Sequence, residues 1–204
     1  MGLYPVISIS LYMKVGVLGV QGAVSEHVEM LKRAFKDAGF EGMVVVVRRK
    51  EDMIDLDGLV IPGGESTTIS RLIERNHLRD EIINLASQGK PILGTCAGCI
   101  ILAKEIDDTR VSPLKLMDIA VERNVYGRQR ESFEAEAEIE EIGKFPCVFI
   151  RAPVITRVWG EAKVIAKLGE HIIGVRQHRL MAITFHPELT QRSDIHTYFL
   201  RLCK

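Results

Sequence analysis

Three side chains of the types that cooperate in covalent catalysis occur at the ends of two apolar segments of this sequence. Cys96 lies among small residues in Gly94–Gly98 and follows an apolar run that begins at Ile92. His186 ends a second apolar segment, and Glu188 follows it two positions later. A thiol, an imidazole base and a carboxylate that orients the imidazole form the general set for a covalent nucleophile.

The residues around Cys96 predict a sharp turn between a strand and a helix. Ile92 and Leu93 indicate a short buried strand, and the run from Cys99 to Ala103 indicates the start of a buried helix. Small residues on both sides of Cys96 allow the tight turn of a nucleophile elbow, with Cys in place of Ser. A helix N-terminus beneath the thiol favours the thiolate.

Other interpretations of Cys96 remain open at this point. A single buried Cys is often only a small apolar residue. Cys96 and Cys99 also form a C-x-x-C pattern, which is found in redox pairs and in half of many metal sites. A zinc site usually needs two such pairs, and Cys147 and Cys203 are isolated, so the metal interpretation is weak.

A glycine-rich loop could supply the backbone N–H donors that an oxyanion requires. Pro62–Ser66 contains two adjacent glycines and leads into a predicted helix, although such a loop alone is usually just a turn. The loop lacks the Lys of a phosphate-binding loop. The second donor would be the N–H of Ala97, the residue after the nucleophile.

The remaining histidines lack a comparable setting, and we expect His27 and His196 to lie on helix surfaces. Four glutamates alternate with apolar residues between Phe133 and Glu141, which predicts a half-solvated antiparallel strand. We interpret this acidic row, Glu134, Glu136, Glu138 and Glu140, as a solvated face and not as a cation site.

The elements that must position these residues indicate an α/β fold. In the first half, apolar strands alternate with amphipathic helices, which predicts parallel strands joined by helical crossovers. We expect one domain with a mixed, largely parallel sheet flanked by helices. Predicted strands are Lys14–Val20, Met43–Val47, Leu59–Ile61, Ile92–Thr95, Phe133–Glu141, Val148–Ile150, Val164–Leu168, His171–Val175 and Leu180–Thr184. Predicted helices begin at Ser25 (as a cap), Ser66 or Thr67, Leu78, Cys99 and about Asp194.

Composition restricts the class of protein. The 204 residues suit one domain with a full core, and 47% of them are apolar. The 27 basic and 27 acidic residues give no excess charge for binding nucleic acid or a membrane surface. No apolar run reaches the roughly 20 residues of a membrane span. Four unevenly spaced cysteines suggest a reducing, cytoplasmic setting.

The first twelve residues require a separate interpretation. They are apolar but lack a basic segment that would precede a signal sequence. We interpret 1–12 as an N-terminal extension or the product of an upstream start, with an added edge strand as the alternative. The domain proper is expected to span 13–204.

Six segments together resemble a known family. The chain is similar to the glutaminase subunit of pyridoxal 5'-phosphate synthase, a class I glutamine amidotransferase family. GTCAG and FHPE alone indicate only a class I amidotransferase; FIRAP, RNVYGRQ and GVQG narrow the resemblance to the vitamin B6 branch. It extends from Met13 to near the C-terminus. The segments are GVLGVQG (Gly16–Gly22), PGGEST (Pro62–Thr67), GTCAG (Gly94–Gly98), RNVYGRQ (Arg123–Gln129), FIRAP (Phe149–Pro153) and FHPELT (Phe185–Thr190).

The resemblance implies a flavodoxin-like three-layer fold and roles for individual residues. Cys96 would be the nucleophile, His186 the acid and base, and Glu188 its orienting carboxylate. The N–H groups of Gly64 and Ala97 would form the oxyanion hole. The implied substrate-binding residues are Gly64, Glu65, Ser66, Arg123, Ile150 and Arg151, while Gln21 is expected near the site or at a partner interface.

The resemblance also implies a partner. A (β/α)₈-barrel synthase subunit would receive the ammonia, in an assembly of twelve synthase subunits with up to twelve glutaminase subunits, and docking would activate this chain. No metal or cofactor is implied. The alternatives are the glutaminase subunit of another class I amidotransferase, a non-catalytic regulatory subunit on the same fold, and a redox protein that uses Cys96 and Cys99.

Overall fold

The computed structural model describes residues 12–123 and 132–204. Residues 1–11 of the predicted extension 1–12, and positions 124–129 of the RNVYGRQ segment, lie outside the described residues. The described residues form the elements that follow. The strands are β1 (Met13–Leu18), β2 (Gly42–Val47), β3 (Gly58–Ile61), β4 (Ile92–Thr95), β5 (Ala103–Ile106), β6 (Met117–Glu122), β7 (Ser132–Ile139), β8 (Gly143–Ile150), β9 (Val154–Val158), β10 (Lys163–Leu168), β11 (His171–Gln177) and β12 (Leu180–Ile183); the α-helices are α1 (Val24–Ala38), α2 (Ser66–Arg75), α3 (Arg79–Ser87), α4 (Ala97–Leu102) and α5 (Asp194–Cys203).

One mixed sheet joins these strands in the order β2-β1-β3-β4-β12-β11-β10-β7-β8. The first five pair in parallel, and the remaining four pair antiparallel from β12 outward. A smaller branch attaches through β9, which pairs antiparallel with both β11 and β6, while β5 pairs with β6. The predicted mixed, largely parallel α/β fold is therefore confirmed.

The parallel part of the sheet is buried on both faces. Leu59 and Ile61 of β3 belong to one apolar cluster, whereas the intervening Val60 belongs to a second cluster. Because successive strand side chains point to opposite faces, the two clusters must lie on opposite sides of the sheet. Helices α2, α3 and α4 contribute to the first cluster, and α1 and α5 to the second. The result is the three-layer arrangement expected for apolar strands of this kind.

Most predicted elements are present, with differences at boundaries and in the middle of the chain. Strands β5, β6 and β9 have no counterpart among the predicted elements, and the predicted Ser25 cap is wrong. Helix α1 begins at Val24, because the carbonyl of Ala23 already accepts the N–H of His27 at 3.2 Å, and no side chain caps it. The acidic row is exposed, as predicted, with Glu134, Glu136 and Glu138 on β7 and Glu140 just after it, and β7 pairs antiparallel with β8.

The expected surface positions of His27 and His196 are also wrong, since both residues are fully buried. His27 lies four residues before Leu31 and eight before Phe35, so it shares the apolar face of α1. His196 similarly shares the face of α5 that carries Phe199 and Leu200. In the described part of the chain, no helix is long and apolar enough to cross a membrane.

Candidate active site

Cys96 occupies a strained turn between β4 and α4. Its φ of 47° and ψ of −102° lie outside the regions that L-residues favour, as in a nucleophile elbow. The N–H of Cys96 donates to the carbonyl of Ile183 at 2.9 Å, which fixes the turn to the neighbouring strand β12. A Cβ at Gly98 would lie 2.1 Å from the carbonyl oxygen of Ile61, so the close approach of α4 to β3 requires glycine there.

His186 and Glu188 form a buried hydrogen-bonded pair directly after β12. The Nδ1 of His186 lies 2.7 Å from Oε1 of Glu188. Pro187 begins a short 3₁₀ turn (Pro187–Leu189), and the N–H of His186 donates to the carbonyl of Val148 at 2.8 Å. This turn brings the carboxylate back toward the imidazole, which explains how two residues only two positions apart can pair.

The environment of His186 favours its charged form. Burial lowers the pKa of His186, but hydrogen bonds to the Cys96 sulfur and to the Glu188 carboxylate outweigh it and raise the pKa to about 10. Because Nδ1 bonds to Glu188, Nε2 is the ring nitrogen available to the sulfur. The Cys96 Sγ also lies 3.8 Å from the carbonyl oxygen of Ile150.

A cavity of ≈ 360 Å³ opens over the Cys96 sulfur. With the exception of Glu188, every residue that the sequence predicted for the site lines this cavity, and so does Gln21. Glu188 is placed behind His186 with a fully buried side chain. A larger groove of ≈ 970 Å³ runs along α1 past Gln191, but neither Cys96 nor His186 lines it. We therefore assign the candidate site to the smaller cavity, which contains the reactive groups.

The glycine loop packs against both reactive side chains. A Cβ at Gly63 would lie 2.4 Å from Cε1 of His186 and 3.2 Å from Cβ of Cys96, so a side chain at this position would displace them. The carbonyl of Gly63 accepts the N–H of Ala23 at 3.0 Å. The N–H of Gly64 belongs to the same trans peptide and therefore points away from Ala23.

Two polar groups at the start of α2 bear on substrate binding. Gln21 Oε1 accepts the N–H of Glu65 at 2.9 Å, which ties the glycine loop to the turn after β1. Ser66 is almost completely buried, and its hydroxyl lacks a hydrogen-bond partner within residues 12–123 and 132–204. A buried hydroxyl that lines a cavity without a protein partner is suited to bind a ligand.

Charged residues surround the rim of the cavity. Arg123 pairs with Asp108 through Nη1 and with Glu65 through Nη2, the second contact at 3.0 Å. Burial raises the pKa of Glu65, but hydrogen bonds from Thr67 and the charge of Arg123 outweigh it, so the pKa lies below its usual value. Arg151 adopts a left-handed φ of 42° and, among the described residues, has no carboxylate within ion-pair distance.

Sequence reasoning missed the polar groups behind Glu188. His27 Nε2 lies 3.3 Å from Glu188 Oε2 and 3.0 Å from Thr95 Oγ1, and His27 Nδ1 lies 2.9 Å from His196 Nε2. The available signal was their spacing from apolar residues of α1 and α5, which places each His on a buried helix face. Asp108, the partner of Arg123, carried no such signal.

Comparison with known proteins agrees with the fold. The SNO glutamine amidotransferase family matches residues 17–204. The chain is 47% identical to a pyridoxal 5'-phosphate synthase subunit PdxT of Archaeoglobus fulgidus, over 93% of this chain and 98% of that protein. It is 48% identical to the subunit PdxT of Metallosphaera sedula, over 94% of this chain and 100% of that protein.

A solved structure described as a glutamine amidotransferase superposes with a TM-score of 0.84 at 44% identity, covering 93% of this chain and 98% of that one. The family match spans far more than half of the chain, and it includes both halves of the sheet and all residues of the candidate site. This chain belongs to the SNO glutamine amidotransferase family.

Proposed function

We propose that this chain hydrolyses the side-chain amide of L-glutamine and passes the ammonia to a synthase subunit that makes pyridoxal 5'-phosphate. The observation that carries the proposal is the shared cavity of Cys96 and His186, with Glu188 hydrogen-bonded behind the imidazole. Membership of a glutamine amidotransferase family supports the substrate class. The two PdxT relatives support the pathway.

The reaction begins with attack of the Cys96 thiolate on the amide carbon of glutamine. The oxyanion accepts hydrogen bonds from the N–H groups of Gly64 and Ala97; the latter is the first residue of α4, whose N–H has no intrahelical partner. His186, as imidazolium, protonates the departing nitrogen, which leaves as ammonia. The neutral His186 then takes a proton from a water molecule as that water attacks the thioester carbon. The bond to Cys96 breaks, which releases glutamate and restores the thiolate.

The expected contributions of these groups are large. General acid–base catalysis by one positioned side chain is typically worth about 10²–10⁴-fold, and one oxyanion donor about 10²–10³-fold. The high pKa of His186 keeps its imidazole protonated at neutral pH, so this ring can supply the proton for the departing nitrogen. Glu188 contributes by holding Nδ1 so that Nε2 faces the sulfur.

The charged rim suits the zwitterionic end of glutamine. The adjacent cation and anion of Arg123 and Glu65 complement an α-carboxylate and an α-ammonium, and Arg151 offers a second cation. Ser66 Oγ and the backbone of Ile150 complete the binding surface within the same cavity.

Ammonia released into bulk water would be protonated and lost, so the reaction requires an acceptor close by. The proposed partner is the (β/α)₈-barrel synthase subunit, in an assembly of twelve synthase and up to twelve glutaminase subunits. The catalytic domain spans residues 13–204, with 1–12 as an extension. We place the protein in the cytoplasm, which its four free cysteines support.

The test measures glutamate release from glutamine after the chain is mixed with the synthase subunit. Wild type is expected to turn over, and Cys96→Ala is expected to lose activity to background. Cys99→Ala is the matched control, because Cys99 lies in the same C-x-x-C pattern but is fully buried in the core. It should retain activity within about twofold. Activity in Cys96→Ala, or equal losses in both variants, would refute the proposed nucleophile.

A further inference from the structure

Two buried histidines lie beyond Glu188, on the side away from the cavity. His27 and His196 are both 0% exposed. His27 bridges the two helices that cover this face of the sheet, since its Nδ1 lies 2.9 Å from His196 Nε2 on α5. Its Nε2 lies 3.0 Å from Thr95 Oγ1 and 3.3 Å from Glu188 Oε2. Nothing in the proposed chemistry uses either ring.

Both rings are neutral at physiological pH. Burial is the largest cause that holds the pKa of His27 well below its usual value, and the neighbouring imidazoles of His196 and His186 lower it further. Burial lowers the pKa of His196 to about 3. The 3.3 Å approach of His27 to Glu188 therefore joins a neutral imidazole to a carboxylate, and each ring carries a single N–H.

The neighbouring polar atoms decide which nitrogen carries the single proton in His27 and in His196. If His27 carried its proton on Nδ1, it would donate to His196 Nε2, and His196 would then carry its own proton on Nδ1. That nitrogen is buried and has no hydrogen-bond partner in the described part of the chain, so its N–H would be orphaned. His27 Nε2 would also present a bare lone pair to the carboxylate oxygen.

The opposite arrangement removes both conflicts. His196 donates its Nε2–H to Nδ1 of His27, and His27 donates its Nε2–H to Thr95 Oγ1 at 3.0 Å, which leaves this N–H, and not a lone pair, 3.3 Å from Glu188 Oε2. Glu188 Oε2 is buried and forms no hydrogen bond within residues 12–123 and 132–204, and His27 Nε2, at 3.3 Å, lies within ion-pair distance of it. Of the nitrogens of these two rings, only the Nδ1 of His196 then remains unpaired, as an acceptor.

We propose that His27 is a positioning residue that holds Glu188 through a neutral Nε2–H, and that His196 fixes this tautomer of His27. The inference rests on the proposed roles of Cys96, His186 and Glu188. With Oε2 held by His27, Oε1 stays on Nδ1 of His186, and the imidazole keeps its other nitrogen toward the sulfur. A neutral donor suits this task, because a second imidazolium would compete with His186 for the negative charge of Glu188.

The kinetic test compares two substitutions of similar shape. His27→Gln keeps an N–H donor at about the position of Nε2, whereas His27→Met fills similar space without a donor. Glutamine hydrolysis is measured with the synthase subunit present. We expect His27→Met to lower kcat by about tenfold with KM nearly unchanged, and His27→Gln to recover most of the loss.

The pH profile separates positioning from packing. A loosely held Glu188 stabilises the His186 imidazolium less, so in His27→Met the basic limb of the kcat/KM profile should move to lower pH, while His27→Gln should follow wild type. Equal rates and profiles in the two variants would overturn the inference. If Cys96→Ala is inactive while His27→Met matches wild type, only the role of His27 fails and the proposed function stands.

A spectroscopic measurement keeps the inference falsifiable even where His27→Met does not fold. In wild-type protein labelled with ¹⁵N-histidine, NMR distinguishes the two neutral tautomers and the imidazolium. His27 should appear as the neutral Nε2–H tautomer and stay so from about pH 5.5 to 8.5, well above its lowered pKa. A neutral Nδ1–H tautomer, or a cation at neutral pH, would overturn the inference.

Discussion

Glu188 lies between histidines of different charge: the one on the cavity side is protonated, and the two on the buried side are neutral. On the cavity side, His186 touches a carboxylate and a sulfur, and its pKa rises to about 10. On the buried side, burial lowers the pKa of His196 to about 3. His27 stands between them and is also held neutral.

This difference shows that burial alone does not decide the charge of a histidine. At least nine-tenths of the surface of each of these three histidines is buried, so desolvation disfavours the protonated form of each ring. The charge falls on the ring that hydrogen-bonds both the Cys96 sulfur and Glu188 Oε1, the latter at 2.7 Å, and the neighbouring rings remain neutral. The sulfur and the carboxylate together thus select one imidazolium from a cluster of three histidines.

The largest expected effect comes from removal of the Glu188 charge, one of the two groups that raise the pKa of His186. Glu188→Gln keeps the shape and an acceptor oxygen but not the negative charge, so the pKa of His186 should fall. We expect kcat to drop by about 10²–10⁴-fold, with a basic limb of the pH profile at lower pH than in wild type. Steady-state glutamate release across a pH series measures both effects.

The matched control is Glu140→Gln, which removes an exposed carboxylate from the same chain. It should leave both kcat and the pH profile unchanged. If Glu188→Gln behaved like Glu140→Gln, the charge of Glu188 would not be a reason why His186 is protonated while His27 and His196 are neutral.

A smaller effect is expected on stability, from the buried side. The folded-state pKa of His196 lies below its unfolded value of 6.5, so its contribution to stability is present above pH 6.5 and is lost as the pH falls toward 3. The slope is at most about 1.4 kcal/mol per pH unit for one histidine. For His186 the sign is reversed: its contribution is present below pH 6.5 and is lost as the pH rises through about 10.

Urea denaturation of His196→Leu between pH 6 and 5 tests this expectation. The free energy of unfolding should fall less steeply with acid than in wild type, by about 1 kcal/mol per pH unit. His178→Gln, at an exposed position, should keep the wild-type slope. Identical slopes in wild type and His196→Leu would mean that His196 is not held neutral in the folded protein.

The reactive part of the cavity could be anticipated from sequence, because Cys96, the glycine loop and His186 each lie in a local pattern, whereas Arg123 and Arg151 were expected only from the family resemblance. Small residues around Cys96, adjacent glycines at 63 and 64, and Pro187 after His186 all impose backbone geometry that sequence records directly. The parallel strands were predicted for the same reason, since an apolar run buried on both faces has a distinctive composition.

The buried side could not be anticipated in the same way. The contact between His27 and His196 joins residues 169 positions apart and depends on how α1 packs against α5. Helix periodicity could have placed each ring on a buried face, but not the two rings together or beside Glu188. Strands β5, β6 and β9 were missed because they form a branch whose pairing is set by tertiary contacts.

Covalent capture by a glutamine analogue tests the central claim most directly. A diazo ketone analogue of glutamine, added with the synthase subunit present, should modify Cys96 alone and abolish glutamate release in proportion to the modification, as peptide mass spectrometry and activity assays would show. Cys96→Ala should remain unmodified. Modification at Cys99 or elsewhere, or full glutaminase activity after complete modification of Cys96, would contradict the assignment of Cys96 as the nucleophile.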